Sequence, residues 1–157
     1  MGCDIHWHSE TKRDGKWLCD QAESFKVLED EEDYPDMDDF PDRGRDYWLF
    51  GLLQPGVRSE WEWSFPERLV TPNDLSKEVQ IVVDRWDGDA HSNGYLTRKE
   101  LKAKLAELKQ LTVEHLIAPT DETQILHHHV KRLEDIITNL AADVPDTDQR
   151  IVFWFDN

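Results

Sequence analysis

A chain of 157 residues with 18 basic and 34 acidic side chains has a formal charge of −16, which predicts one domain inside a strongly negative field that repels nucleic-acid phosphates and anionic lipid. Direct nucleic-acid binding and a basic membrane-surface helix are thereby excluded; no apolar run nears the roughly eighteen residues of a membrane span and no export signal is legible, so a cytoplasmic location is expected. With 38% apolar residues and seven Trp the chain can still bury a sizeable core, because each indole hides a large apolar area.

Residues 3 to 10 alternate, with Cys3, Ile5 and Trp7 on one side and Asp4, His6, His8 and Glu10 on the other, which is the period of a half-buried strand. Asp14-Gly15 turns the chain into a second strand, Lys16 to Cys19. If those two residues form the whole turn, paired positions sum to 29, which sets Cys19 opposite Glu10 and not opposite Cys3. Both thiols are therefore expected to stay reduced. Residues 29 to 46 hold ten acids and two arginines, half of the net charge, and read as a loop with Tyr34, Met37 and Phe40 as apolar anchors.

Arg45 to Gln54 reads as a short helix ended by Pro55-Gly56. Val57 to Thr71 is an aromatic-rich segment without periodicity. Ser76 to Trp86 is a predicted helix with Val79, Val82 and Val83 inward. Thr97 and Glu100 have the spacing of a capping box, opening a helix that carries Leu101, Leu105 and Leu108 on one face. Asp121 to Ala142 is the longest helix, with Leu126, Val130, Leu133, Ile137 and Leu140 as its packing seam. Ile151 to Phe155 is apolar on both faces and should be a central strand, paired with residues 3 to 10 so that Asp156 lies near one end of that strand. The expected fold is α+β, a small antiparallel sheet of the N-terminal hairpin and C-terminal strand packed against a helical hairpin and shorter helices.

Two constellations carry chemistry. In Asp4-Ile5-His6-Trp7-His8 a carboxylate and two imidazoles project from one strand face, a donor set suited to a divalent ion; the alternative is solvated or hydrogen-bonded histidines. Asp89 to Glu100 matches the twelve-residue calcium loop of an EF-hand at Asp89, Asn93, Gly94, Thr97 and Glu100, with Tyr95 at the position that ligates through its carbonyl. His91 breaks that match, since imidazole is a poor ligand for a hard cation, and the competing reading is a turn followed by a capping box. Asp4-x-His6 with Gly88-Asp89 also resembles fragments of the binuclear metallophosphoesterase pattern, which is incomplete here. His127, His128 and His129 sit about 100° apart around a helix, cannot converge on one ion, and read as surface or boundary residues.

The opening MGCDIH, the internal RDYWLFGLL and PGVR, the central DAHSNGYLT followed by KEL, and the closing VFWFDN together resemble an uncharacterised family of small proteins encoded by phages and prophages. The resemblance spans most of the chain in scattered blocks and implies that Cys3, Asp4, His6, Arg58, Asp89, His91, Ser92 and Asp156 are the positions of interest. It also implies that Gly94 is often absent from relatives, which weakens the calcium reading, and that the acidic insert is particular to this member.

Three functions compete. In the leading one, a phage accessory protein acting in counter-defence uses Asp4, His6, Asp89 and His91, with Asp156 and Cys3 beside them, to hold zinc or manganese. That ion binds or hydrolyses a phosphorylated small molecule, and Arg58, Trp61, Trp63 and Ser92 complete the ligand site. In the second, the acidic loop mimics a nucleic acid and occupies the cleft of a basic host protein. In the third, the Asp89 to Glu100 loop is a structural calcium module.

Overall fold

The computed structural model describes residues 2–22, 45–86, 88–117 and 121–156, the side chains of 115–117 excepted. Most of the acidic segment lies outside the described residues, apart from its last two, Arg45 and Asp46. The described part is α+β: four helices and a four-stranded antiparallel sheet. Strand β1 (Asp4–Arg13) turns at Asp14 and Gly15, whose φ angles of 51° and 75° suit a two-residue hairpin, into β2 (Lys16–Cys19). Glu10 faces Cys19 in this register, as the turn length requires, and both cysteines are free.

Helix α1 (Tyr47–Leu53) starts at Asp46, whose Oδ1 accepts from the Leu49 amide at 3.1 Å. Its Oδ2 accepts from His128 Nε2 at 2.7 Å and Arg132 Nε at 2.8 Å, so one carboxylate caps a helix and ties it to Glu122–Thr138, which at 17 residues is shorter than the 20-residue Arg98–Ile117 and not the longest helix as expected. Helix α2 (Lys77–Arg85) is capped by Ser76. Strand β3 (His91–Thr97) leads directly into α3 (Arg98–Ile117), then α4 (Glu122–Thr138), a short 3-10 turn, and β4 (Gln149–Asp156). Thr97 and Glu100 form the expected capping box, with the Glu100 amide 3.2 Å from Thr97 Oγ1.

The strand order is β2-β1-β4-β3, and β4 is central, paired with β1 from Asp156 opposite Asp4 to Gln149 opposite Thr11. Its residues through Phe155 are buried on both faces. One face carries Ile5, Trp7, Ile151, Phe153, Phe155 and Leu96, and packs on α1 and the hairpin α3/α4 through Leu52, Leu101, Leu126 and Leu133. On the other, Val152 and Cys19 pack with Val79 of α2.

The second face corrects the expectation that the polar side of β1 is solvated. His8 is 3% exposed and Glu10 is fully buried. Glu10 Oε1 accepts from Arg150 Nε at 2.8 Å and Oε2 from the Ser76 amide at 2.7 Å; the guanidinium also lies 3.9 Å over the Trp17 ring and 3.0 Å from Asp74. Paired and hydrogen-bonded on every side, these charges can be buried. A second correction concerns His129, which is not a boundary residue but fully buried. Its Nδ1 accepts from Trp63 Nε1 at 3.0 Å and its Nε2 donates to the Trp48 carbonyl at 2.9 Å.

Gly51 sets how closely the aromatic segment approaches α1: a Cβ there would collide with the Ser59 hydroxyl and backbone. Gly51→Ala gains about 1 kcal/mol of helix propensity, yet it is expected to destabilise by about 1–3 kcal/mol net because the obstacle is backbone. A shift of the urea midpoint to lower concentration at unchanged slope checks this.

Candidate functional site

The end of the sheet where β1 begins, β3 begins and β4 ends is closed by the turn after α1. Gln54, 2% exposed, follows α1 directly and joins these parts. Its Nε2 donates to the carbonyls of Arg68 and Ser92, each at 3.2 Å, and its Oε1 accepts from the Arg68 amide at 3.1 Å. A cleft of about 340 Å³ results, lined among others by Cys3, Val57, Arg58, Glu67, His91 and Ser92.

The backbone around it is strained. Among the described non-glycine residues, φ is positive only at Asp14, Arg58 and Ser92, the last two at 65° and 54°. Asp14 belongs to the hairpin turn; Arg58 and Ser92 both line the cleft. Ser92 sits in a β-bulge, since His91 pairs with Phe155 while Gly94 pairs with Phe153. The extra residue lets His91 stack on Phe155, centroids 6.2 Å apart and planes at 28°. His91 Nδ1 lies 3.0 Å from Ser92 Oγ, and its Nε2 is buried with no hydrogen-bond partner among the described residues. Arg58 lies over the Tyr47 ring, 5.5 Å from its centroid, and the Tyr47 hydroxyl is 3.4 Å from the Cys3 amide. Burial pushes the Cys3 thiol above its ordinary range, Asp156 and Asp4 add to the rise, and a hydrogen bond from Arg58 opposes it.

The expected metal set does not assemble. His6 projects from the face opposite His91: its ring is 4.3 Å from Trp86 and 6.0 Å from Trp154, and its Nε2 bonds Asp156 Oδ2 at 2.9 Å. Asp4 pairs with Arg45 Nε at 3.1 Å, and Asp89 is exposed in the turn after α2. Strand β4 runs between the two imidazoles, and among the described residues no three His, Cys, Asp or Glu side chains gather in a way that could hold a metal ion. From that set, Asp156 meets the His6 ring and accepts from the Asp4 amide at one strand end, while the Asp4 carboxylate pairs with Arg45 and His91 lies apart.

The calcium loop is corrected as well. His91–Thr97 is a paired strand and not a loop wrapped around an ion. Asn93 donates to Thr71 Oγ1 at 3.2 Å, Tyr95 packs in the second-face cluster with Val79 and Val152, and Glu100 pairs with Arg68 at 3.0 Å while closing the capping box with Thr97. Gly94 serves packing rather than a turn, since a Cβ there would come within 2.9 Å of the Phe153 ring.

Of the expected ligand-binding residues, Cys3, Arg58 and Ser92 meet in the cleft, whereas Trp61 and Trp63 do not line it. Trp63 is 6% exposed and bonds His129; Trp61 stacks on it with ring planes at 10° and donates to the Trp48 carbonyl. Both indoles are packing. Sequence reasoning missed Gln54, legible only as a helix end, and Glu67, which no motif marks. In comparison with known proteins, the chain matches no family model, no curated protein and no solved structure.

Proposed function

We propose that the cleft binds a phosphorylated small molecule. One observation carries this reading: among the described residues, the two left-handed non-glycine residues outside the hairpin turn, Arg58 and Ser92, line the same cleft together with His91. Strained backbone persists where the surroundings over-determine it, and such positions concentrate at functional sites. Arg58 offers a planar, permanently charged set of donors suited to phosphate, and His91 and Ser92 add an imidazole and a hydroxyl. About 340 Å³ suits a small metabolite and not a macromolecule. Glu67 also lines the cleft and repels anions around its carboxylate, so the body of the ligand is expected to present hydroxyl or amine donors to it.

The resemblance to phage-encoded proteins singles out Cys3, Arg58, His91 and Ser92, four positions of this lining. A bound zinc, manganese or calcium ion is not part of the reading, because His91 lies across β4 from His6 and Asp156 and the residues expected to wrap calcium belong largely to a paired strand. Calorimetric titration with a panel of sugar phosphates and nucleoside monophosphates tests it. Arg58→Met is expected to weaken the binding member about 10- to 100-fold, the loss of a charge-assisted contact worth about 1.5–3 kcal/mol. An unchanged Kd in that variant, or no binding of any member at millimolar concentration, contradicts it.

A further inference from the structure

We infer that the ligand of this cleft is a zwitterion, a phosphomonoester whose body carries a cationic amine, and that Glu67 is the specificity residue that selects it; the inference deepens the binding reading above and rests on it. Arg58 and Glu67 line one cleft of about 340 Å³ with opposite charges. Glu67 has no hydrogen-bond or ion-pair partner among the described residues. The guanidinium next to it in sequence, that of Arg68, is taken up by Glu100 at 3.0 Å and lies 5.2 Å from the centroid of the Tyr95 ring. Arg58 is engaged by the Tyr47 ring and the Cys3 thiol.

The backbone that presents each charge is fixed. Arg58 sits in a turn closed by the Gly56 amide on the Ser59 carbonyl at 3.0 Å and by the Val57 amide on the Gln54 carbonyl at 3.2 Å. Glu67 is bracketed as firmly. Before it, the Phe65 amide donates to the Leu52 carbonyl at 2.9 Å and Pro66 restricts its own φ; after it, the buried Gln54 side chain holds both the amide and the carbonyl of Arg68. Unlike charges presented in this way, without neutralising each other, bind best a ligand that carries both signs. The charge of the whole chain, −16, points the same way, since it repels a bare phosphate and an amine on the ligand offsets that repulsion. An adjoining depression shares Pro55 and Glu67 with the cleft and adds Glu60 and Glu62. The negative potential therefore grows from Arg58 toward Glu67, which orients the ligand with its phosphate at Arg58 and Ser92 and its amine at Glu67. A hydrogen bond from an ammonium group to a carboxylate is roughly twice as strong as one between neutral groups, which favours an amine there over a hydroxyl.

The test is calorimetric titration of the full chain with two matched pairs of ligands: phosphoethanolamine against ethylene glycol monophosphate, and glucosamine 6-phosphate against glucose 6-phosphate. In at least one pair the amine member is expected to bind about five- to tenfold more tightly than its hydroxyl counterpart, the gain of one ion pair in a cleft open to solvent. In Glu67→Gln the two members of that pair should bind equally within about twofold, with the hydroxyl member within about threefold of its wild-type Kd. Glu67→Lys is expected to invert the preference. Glu67 is exposed, so both variants should keep the wild-type melting temperature, and a merely structural role would move both members of a pair together. Wild-type affinities equal within about twofold in both pairs overturn the inference, and the binding reading then survives alone. A preference that persists unchanged in Glu67→Gln overturns it as well. If no member of either pair binds at millimolar concentration, both fall.

Discussion

Arg150→Ala and Glu10→Ala are each expected to cost about 3–5 kcal/mol of folding stability, the typical loss when one member of a buried ion pair is removed and the other is left charged and dry. Both side chains are almost wholly buried, at 4% and 0% exposure. The pair also organises its surroundings: Glu10 receives the Ser76 amide at the start of α2, and Arg150 lies on the Trp17 ring of β2. Removing either residue therefore loosens the helix and the hairpin that close the second face of the sheet. Since whole domains have only about 5–15 kcal/mol of stability, urea denaturation should show a large midpoint shift in either variant. The third member is different. The Asp74 carboxylate is 59% exposed, and Asp74→Ala is expected to cost no more than about 1 kcal/mol. A double Glu10→Leu/Arg150→Leu variant should be markedly more stable than the sum of two single losses predicts, because no orphan charge remains.

Acid is expected to weaken the fold through His129. Burial is the main cause that lowers this imidazole from 6.5 to about 4, with the Trp48 carbonyl contact opposing it and His128 adding to it. The folded state therefore binds fewer protons than the unfolded chain between those two values. Its contribution is fully present above about pH 6.5 and is lost as the pH falls toward 4, at about 1.4 kcal/mol per pH unit, or about 3 kcal/mol in all. Protonation would also take from Trp63 Nε1 the acceptor it now has in Nδ1. His129→Phe should lower stability at pH 7 by about 1–3 kcal/mol, through the orphaned indole N–H. Between pH 6.5 and 4.5 it should lose less than wild type does. Carboxylates titrate in both proteins, so the difference between the two urea series isolates the histidine. Parallel series would show that His129 does not carry the acid sensitivity.

The parts of this fold that were legible in the sequence are those where local chemistry leaves one solution. Asp14-Gly15 admits a two-residue turn, and that turn sets the pairing of Glu10 with Cys19. Five apolar residues in a row, Ile151 to Phe155, need cover on both faces, which a central strand receives. Thr97 and Glu100 cap a helix whatever precedes them. Alternation along β1 sorted its side chains into two sets, but it is silent about what lies over the polar set, and the buried Glu10–Arg150 pair depends on a residue 140 positions away.

The site was legible as residues and not as a constellation. Because strand side chains have a period of two, the single extra residue at Ser92 decides which face His91 joins. Nothing in Asp89-Ala-His91-Ser92-Asn93 announces that bulge, and without it a shared pocket for His6 and His91 was a fair expectation. The indoles of Trp61 and Trp63 fail for a related reason: in a segment without periodicity, a stacking platform and a core filler have the same sequence. Gln54 is the clearest omission, since its value lies in three carbonyl and amide contacts that only tertiary structure brings within reach.

Side-chain and amide NMR of the full chain during titration with the binding phosphorylated ligand tests the cleft most directly. The expected result is a saturable shift of the His91 ring nitrogens together with the Arg58 and Ser92 amides, while His6 and Trp86, on the opposite face of the sheet, stay in place. Shifts centred on His6, Asp156 and Trp86 instead, with His91 unmoved, would contradict the assignment and return the search for a ligand to the other side of β4.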